Sequence, residues 1–399
     1  MEMVVTNADA KLAAVRRGVP VTERLAFFNA GSHGPLAAAA AVAIASAAEE
    51  EVRDGRLGAL QFQRGGELKN AIRDHFGRLL GCDASEIAVT ASTTDGMDIA
   101  CWGLNWRPGD EIVTSDAEHQ GGLSPLYILE HRFGVRVRFA ESGANSDRLL
   151  SSIESLLNEH TRAVVVSHVS WSTGLVLPLQ EIATLAHAAG ALVFADGAQS
   201  AGAIPIDVRR LGVDAYAVPG QKWLCGPEGT GALYVAKERL DQILPSYVGG
   251  GSWASYDLAG RYSLRQDASR FDTPGHPYIP ALAGFKASLR WFLGDVGPDW
   301  AYARILENAA TCRRLLEGIE GVEVLNPPGP HAGLLHFTVA GWDPATVFEE
   351  LLRRDVLVRS VIAPACIRAS TGFYNSADDL EALTGGIREI LRGAPRPPS

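Results

Sequence analysis

From residue 87 onward, short apolar runs alternate with longer segments in which apolar positions recur at helical spacing. Several of the short runs are apolar on both faces, which is typical of parallel strands covered by helices on both sides. The pattern therefore predicts an α/β fold with a mostly parallel central sheet in a large domain. The predicted strands are residues 87–90, 111–114, 135–139, 163–167 and 191–195, and residues 179–189 are a predicted intervening helix.

The last part of the chain has a different order of elements. From about residue 280 a long helical stretch is followed by a strand at residues 333–339 and a final helix from Ala377. This order predicts a smaller α+β domain that closes over the site. We predict an N-terminal segment, residues 1–30, packing with the small domain, a large domain, residues 31–279, and a small C-terminal domain, residues 280–399.

Composition narrows the classes of partner. The 399 residues carry a net charge of −10 and no basic stripe, so neither nucleic acid nor an anionic membrane is an expected partner. The longest apolar run, residues 36–48, is too short to span a bilayer, and the N-terminus lacks a signal-peptide pattern. The five cysteines are scattered without a C-x-x-C pair, which favours reduced thiols in the cytoplasm over a disulfide framework or a metal site.

An acid and a lysine carry the main chemical signal. Asp196 ends the apolar run 192–195, and Lys222 lies in the turn-rich loop 219–231. Taken alone, Lys222 is more simply a surface lysine, and Asp196 could cap a helix that begins near Ala198. Together they suggest a site for pyridoxal 5'-phosphate (PLP), with the lysine bound to the cofactor and the acid holding its pyridine nitrogen protonated.

Further polar residues follow the predicted strands, where ligands bind in parallel sheets. Ser92, Thr93 and Thr94 open a helix whose N-terminus suits a phosphate. His119 could be a loop histidine with a purely structural role, but its place beyond a strand end suits a ring that stacks on the pyridine. Gln199 could donate a hydrogen bond to the phenolic oxygen of the cofactor. Arg368 has the planar fork that binds a substrate carboxylate, although a salt bridge within the small domain explains it equally well.

These residues resemble the class V aminotransferase family of fold-type I PLP enzymes, which includes cysteine desulfurases and isopenicillin N epimerases. Within the family the chain is most similar to cysteine/cystine C–S lyases. The resemblance extends over nearly the whole chain, and its motifs are Phe28-Asn-Ala-Gly-Ser-His-Gly-Pro35, Thr93-Thr-Asp-Gly-Met-Asp98, Trp102-Gly-Leu-Asn-Trp106, Gly109-Asp-Glu111, Glu118-His119, Trp171-Ser-Thr-Gly174, Tyr247-Val-Gly249 and Ile367-Arg-Ala369.

The resemblance implies a role for each matching position. Catalytic roles fall on Lys222, Asp196 and His119. Cofactor binding falls on the same three residues together with Gln199, Ser92, Thr93, Thr94, Gln221 and His276. Arg368 would bind the substrate carboxylate, with help from the backbone of Ala30 and Gly31. His33 and Trp171 would also lie at the substrate and influence which substrate is accepted. The family also implies a homodimer with active sites at the interface.

Three positions depart from the family pattern at the cofactor phosphate. A serine or threonine and a histidine normally stand where this chain has Pro219 and Gln221. The threonine that normally reaches across the dimer interface is His276, which can also donate to phosphate. These departures indicate a specialised member of the family.

The nucleophilic cysteine of desulfurases has no counterpart here. The segment between Arg359 and Arg368 is short, and Cys366 stands so close to Arg368 that we interpret it as a packing residue. The sequence therefore predicts a C–S β-lyase that cleaves cystine or a cysteine S-conjugate to a thiol or persulfide, pyruvate and ammonia. Alternatives are a decarboxylating oxidative deaminase of an S-cysteinyl conjugate, as in lincosamide-type antibiotic biosynthesis, an epimerase, and an inactive scaffold of the same fold.

Overall fold

The computed structural model describes residues 7–142 and 145–393. Residues 1–6 of the predicted N-terminal segment and 394–399 of the predicted C-terminal domain lie outside the described residues. The helices are α1 (Asn7–Arg17), α2 (Ala38–Asp54), α3 (Gly58–Leu80), α4 (Thr93–Trp102), α5 (Gln120–Phe133), α6 (Ser146–Leu156), α7 (Leu179–Ala188), α8 (Val208–Leu211), α9 (Ile279–Trp291), α10 (Pro298–Glu317), α11 (Pro344–Leu352) and α12 (Ala377–Arg392).

A seven-stranded sheet forms the centre of the molecule, in the order β2-β8-β7-β6-β5-β3-β4. Strands β3 to β7 run parallel, and β8 runs antiparallel to both β2 and β7. The predicted mostly parallel sheet is therefore confirmed. Its strands are β2 (Ile87–Thr90), β3 (Glu111–Ser115), β4 (Arg136–Ala140), β5 (Thr161–Ser167), β6 (Leu192–Asp196), β7 (Ala215–Pro219) and β8 (Gly231–Val235).

The pattern of apolar positions located the five predicted strands to within two residues at each end. The interior strands β3 and β6 are buried along their whole length, because helices cover both faces of the sheet. Strands β7 and β8 were not among the predicted strands, although both are fully buried. They flank the loop that carries Lys222, so the sheet extends directly to the edge of the candidate site.

A second, antiparallel sheet of order β11-β12-β15-β14 lies in the C-terminal part of the chain. The predicted strand and final helix are found there as β12 and α12, close to the predicted positions. Helix α9, which begins at the predicted domain limit, packs on α2 and α3, while Phe28 packs in the core of the small sheet. The strands outside the large sheet are β1 (Ala26–Phe27), β9 (Trp253–Tyr256), β10 (Tyr262–Leu264), β11 (Val322–Val324), β12 (Leu334–Val339), β13 (Val356–Leu357), β14 (Arg359–Ile362) and β15 (Ala365–Ser370).

Two further features concern membrane-spanning helices and the state of the cysteines. Among the described residues, no helix combines the length and the apolar character that a membrane crossing requires. All five cysteines are free thiols, and all but Cys82 are buried.

Candidate active site

The candidate residues converge at one edge of the central sheet because successive parallel strands end there. Asp196 is the last residue of β6, and Lys222 follows the end of β7 by three positions. His119 lies in the connection from β3 to α5, and Thr93 begins α4 directly after β2. Residues spread over more than a hundred positions of the sequence therefore surround one space.

The Lys222 loop is held by the segment between α1 and α2. The backbone N–H of Gly34 donates to the carbonyl of Gln221 at 2.8 Å. A Cβ atom on Gly34 would come to 2.0 Å from the Lys222 carbonyl oxygen, so only glycine fits at this approach. The Lys222 main chain is thus fixed by contact with a distant part of the chain.

The Lys222 amine is in a setting that favours its uncharged form. Burial lowers the pKa of Lys222 to about 8, and the positive charge of Arg368 adds to this effect while Asp196 opposes it. An amine with a pKa near neutral is available as a nucleophile and as a proton acceptor. The interpretation of Lys222 as a freely exposed surface lysine does not fit this environment.

Asp196 is 6% exposed, and its side-chain Oδ1 accepts a hydrogen bond from the N–H of Ala198 at 2.8 Å. The residues that follow form turns rather than a helix, so the alternative role of Asp196 as a helix cap is wrong. Within the described residues Asp196 forms no ion pair. A buried carboxylate is costly unless it meets a cation, and a protonated pyridine nitrogen is such a cation.

His119 caps helix α5, and its Nδ1 accepts from the N–H of Gly121 at 3.0 Å. Burial lowers the pKa of His119, and the positive charge of Lys222 lowers it further. The ring is therefore neutral with its proton on Nε2. Trp171 meets the same ring edge-on, with centroids 5.3 Å apart. These contacts hold a flat aromatic group beside Asp196 and Lys222.

Gln199 joins two segments that border the site. Its Nε2 donates to the carbonyl of Gly31 at 2.8 Å, and its Oε1 accepts from Trp223 Nε1 at 3.2 Å. The side-chain amide has a second N–H, which remains for the phenolic oxygen of a cofactor. Gln199 therefore fixes the N-terminal loop against the lysine loop whether or not that oxygen is present.

Buried polar atoms that lack hydrogen-bond partners indicate where a cofactor phosphate would bind. Ser92 Oγ accepts from the N–H of Asp95 at 3.0 Å and so is used as the cap of α4. The buried atoms Thr93 Oγ1 and Gln221 Oε1 have no hydrogen-bond partner. Rotating the Gln221 amide by half a turn presents its N–H groups at the same place. A phosphate at this helix N-terminus satisfies both residues, so the chain fits the group despite its departures from the family pattern.

Thr94 lies against the α5 connection rather than against Gln221. A Cβ atom on Gly121 would come to 2.6 Å from Thr94 Oγ1. This close approach brings the start of α4 and the start of α5 together at the edge of the sheet. The N-termini of both helices therefore face the candidate site.

Arg368 lies on β15 and is 4% exposed. Its Nη2 donates to Ser32 Oγ at 2.7 Å and its Nη1 to the Trp171 carbonyl at 3.4 Å, while Nε has no partner. Burial lowers the pKa of Arg368 to about 10, and Arg359 lowers it further. In the described part of the chain Arg368 forms no ion pair, so the salt-bridge alternative is not found.

Ala30 and Gly31 lie where the N-terminal loop meets the small domain. Ala30 is buried, and a Cβ atom on Gly31 would come to 2.8 Å from both Leu334 Cδ2 and Ser370 Oγ. The Gly31 carbonyl is the acceptor for Gln199. The backbone of this loop therefore lies between the cofactor residues of the large domain and the sheet that carries Arg368.

Two predicted residues stand apart from this group. His33 is exposed, and its Nε2 is 3.4 Å from Glu228 Oε1. His276 is exposed too, and its ring packs on Phe62 with centroids 5.2 Å apart, in a groove of about 1050 Å³ beside α3. Within this single chain neither side chain contacts Lys222 or Arg368.

Sequence reasoning did not assign a role to Ser32 or Glu118. Ser32 accepts a hydrogen bond from Arg368, and Glu118 is a buried acid directly before His119. The signal for Ser32 was its position beside Ala30, Gly31 and His33 in the N-terminal motif. For Glu118 the signal was an acid directly before His119, three positions after the end of β3.

Cys366 is buried on β15, and burial raises the pKa of its thiol to about 11. Strands β14 and β15 are paired up to Ile362 and Ala365, so only two residues join them. The Cys366 thiol, near the start of the second strand of this hairpin, is therefore protonated at neutral pH, and its position is fixed by the strand. This environment agrees with the interpretation of Cys366 as a packing residue.

The fold and this arrangement of acid, lysine and arginine define a known class of protein. Residues 60–383 match the model of the family described as aminotransferase class-V, and the chain belongs to that family. The family predicted from the sequence motifs is thereby confirmed.

Curated relatives and solved structures give a closer comparison. The chain is 32% identical over 338 residues to a probable cysteine desulfurase of Mycolicibacterium paratuberculosis, across 80% of this chain and 48% of that protein, so it spans about half of that relative. It is 29% identical to a probable cysteine desulfurase of Methanothermobacter thermautotrophicus, across 94% of this chain and 97% of the relative.

Two solved structures of the cystine C–S lyase C-DES match with a TM-score of 0.87 and 30% identity. One is a complex with the reaction product cysteine persulfide, and the match covers 92% of this chain and 98% of that structure. The other is a mutant with glycine covalently linked to the PLP cofactor, matched over 93% of this chain. The predicted fold-type I architecture is therefore confirmed.

Proposed function

We propose that this protein is a PLP-dependent C–S β-lyase that cleaves cystine or a cysteine S-conjugate to a persulfide or thiol, pyruvate and ammonia. One observation carries the proposal: Asp196 and Arg368 are buried charges of opposite sign, and neither forms an ion pair with a described residue of the protein. A ligand with a cationic ring nitrogen and an anionic carboxylate satisfies both. PLP carrying an amino acid is such a ligand.

The cofactor supplies an electron-withdrawing ring that stabilises negative charge at the substrate Cα. Asp196 holds the ring nitrogen protonated, and Thr93 and Gln221 bind the phosphate. Lys222 attaches the cofactor and then accepts the proton from Cα, for which its lowered pKa is suited. Arg368 holds the substrate carboxylate, so that the Cα–H bond is presented to Lys222.

The short β14–β15 hairpin supports a lyase rather than a desulfurase. A desulfurase needs a protein thiol that reaches the substrate sulfur, and the only cysteine at this place in the described residues is the buried, protonated Cys366. A β-lyase needs only a leaving group on Cβ. For cystine and one water the products are cysteine persulfide, pyruvate and ammonia, and no protein thiol takes part.

Identification of the products tests the proposed reaction. We expect the purified protein with PLP to convert cystine into pyruvate, ammonia and a persulfide, measured by mass spectrometry and by a coupled pyruvate assay. An S-alkylcysteine and a sugar S-conjugate of cysteine define how far the substrate range extends. Carbon dioxide with a chain-shortened aldehyde would instead indicate oxidative decarboxylation, and D-configured substrate would indicate epimerisation.

Arg359 gives a reason to favour cystine. It is exposed, lies directly opposite Arg368 across the β14–β15 pair, and forms no hydrogen bond or ion pair with the described residues. Residues opposite each other on antiparallel strands project from the same face. The site therefore presents two adjacent arginines, and cystine has two α-carboxylates.

Replacing Arg359 with methionine is expected to raise KM for cystine by about tenfold, since one charge-assisted contact is lost. KM for an S-alkylcysteine, which has a single carboxylate, is expected to change little. Steady-state kinetics on both substrates measure the difference. Equal effects on the two substrates would rule out recognition of the second carboxylate by Arg359.

We also propose that two copies of the chain form a homodimer in which His276 completes the phosphate site of the partner subunit. The groove beside His276 lies in a region of the surface with several exposed apolar side chains. Such a concentration is typical of a surface that is covered by another protein. The exposed apolar side chains that line this groove, or that directly neighbour its lining residues in the chain, are Leu57, Leu60, Phe62 and Tyr278.

A further inference from the structure

Glu118 stands at the junction between the element that carries His119 and the strand beside Asp196. It is 8% exposed and lies in the connection from β3 to α5. Its Oε1 accepts from Ser115 Oγ, the last residue of β3, at 2.6 Å. Its Oε2 accepts from the N–H of Ser167, the last residue of β5, at 2.9 Å, and from Ser167 Oγ. One carboxyl group thus joins the ends of two neighbouring strands.

The connection extends from Ser167 to the acid of the site. Ser167 is the register partner of Asp196 in the parallel pair of β5 and β6, and the N–H of His168 donates to the Asp196 carbonyl at 2.9 Å. Glu118 is also the neighbour of His119 in the chain. Chain connections and hydrogen bonds together therefore link His119 through Glu118 and the end of β5 to Asp196.

The location is an unfavourable one for an acid that serves stability alone. Burial raises the pKa of Glu118 to about 7, the hydrogen bonds from Ser115 and Ser167 oppose this rise, and Asp196 adds to it. Keeping a carboxyl close to a second carboxyl in a buried place is costly. Neutral side chains would join the strand ends without that cost.

We propose that Glu118 is a positioning residue, whose hydrogen bonds to Ser115 and Ser167 hold the His119 ring, which stacks on the cofactor, in fixed relation to the Asp196 carboxylate, which meets its ring nitrogen. The inference rests on the proposed PLP function. Glu118 itself does not touch the cofactor. It acts through His119, whose main chain it ties to the end of β5.

Three variants test this role. Glu118→Ala removes all three hydrogen bonds. Glu118→Gln keeps them, because its carbonyl accepts from Ser167 while its N–H group faces the Ser115 hydroxyl, which turns to accept. Glu111→Ala is the matched control. Glu111 is a buried acid at the start of β3, the end of that strand far from Ser115, and it forms ion pairs with Arg138 and Arg136.

Two measurements separate positioning from simple stabilisation. The first is circular dichroism of the bound cofactor in the visible region, which reports how the ring is held. The second is hydrogen exchange of residues 116–122 in the cofactor-free protein. We expect Glu118→Ala to lose most of the visible signal and to exchange about tenfold faster over this segment, while Glu118→Gln and Glu111→Ala resemble the wild type in both.

The outcomes are distinct. Unchanged dichroism and exchange in Glu118→Ala would overturn the positioning role. A loss in Glu118→Gln as large as that in Glu118→Ala would overturn it too, since the charge and not the hydrogen bonds would then matter. If Glu118→Ala does not fold, the Ser115→Ala and Ser167→Ala double variant replaces it, with a smaller loss of both signals expected because the Ser167 backbone N–H still donates to Glu118. A wild-type protein without any visible cofactor signal would contradict the proposed function itself.

Discussion

Replacing Lys222 with alanine is expected to abolish lyase turnover, by a factor of about 1000 or more, because one side chain both attaches the cofactor and accepts the Cα proton. Steady-state pyruvate formation measures the loss. Borohydride reduction followed by peptide mass spectrometry is expected to leave the cofactor on the peptide that contains Lys222 in the wild type. No modified peptide is expected from the variant.

The lowered pKa adds a pH dependence to this expectation. With a pKa of about 8, about a tenth of the Lys222 amines are uncharged at pH 7, and nearly all are uncharged above pH 9. The rate at which cofactor-free protein takes up PLP covalently should therefore rise with pH and level off above about pH 9. A rate that keeps rising through pH 10 would indicate an ordinary lysine.

The chain offers a matched control for this substitution. It has five lysines, and Lys237 is exposed at the far side of strand β8. Lys237→Ala should retain full turnover and covalent labelling of Lys222. Near wild-type turnover in Lys222→Ala would contradict the assignment of the cofactor as well as that of the lysine.

Replacing Asp196 with asparagine is expected to lower turnover by about 100-fold or more while leaving the fold intact. The amide oxygen of asparagine still accepts from the Ala198 N–H, so the turn after β6 persists. The negative charge that keeps the ring nitrogen protonated is lost. Turnover, the absorbance of the bound cofactor and the thermal midpoint of the cofactor-free protein measure the three effects separately.

Asp214 provides the comparison for Asp196. It is a similarly buried acid, but it accepts from the N–H of Val193 and pairs with His187 and Arg239, away from the site. Asp214→Asn should lower the thermal midpoint and leave the cofactor absorbance unchanged. The opposite pattern, in which Asp196→Asn lowers the thermal midpoint and leaves turnover and the cofactor absorbance unchanged, would make Asp196 a structural residue.

The parallel sheet and one edge of the site follow from the sequence because they depend on local patterns. Runs of buried residues specify β3, β5 and β6, and residues that directly follow such runs lie at the carboxyl edge of the sheet. Asp196, His119 and Thr93 could therefore be located from their neighbours alone. Strands β7 and β8 were not predicted, because the glycines and prolines between them indicated one long loop.

Contacts between distant segments could not be obtained in the same way. Ser32 and Arg368 meet across 336 positions of sequence, and Gln199 and Gly31 across 168. Such pairs depend on how the small domain packs against the large one. The periodic pattern of apolar residues along the chain does not predict that packing. The absence of an acid beside Arg368 likewise became visible only when its surroundings in space were known.

The guanidinium of Arg368 joins three separate parts of the molecule. The group itself belongs to the small sheet, Ser32 to the N-terminal loop, and the Trp171 carbonyl to the large domain. In the proposed mechanism, the contact of Arg368 with the substrate carboxylate therefore depends on the positions of all three parts. Substitutions far from the site that tilt the small domain should appear as weaker substrate affinity, with the cofactor still in place. A change in substrate affinity would thus report a change in the relative positions of the domains.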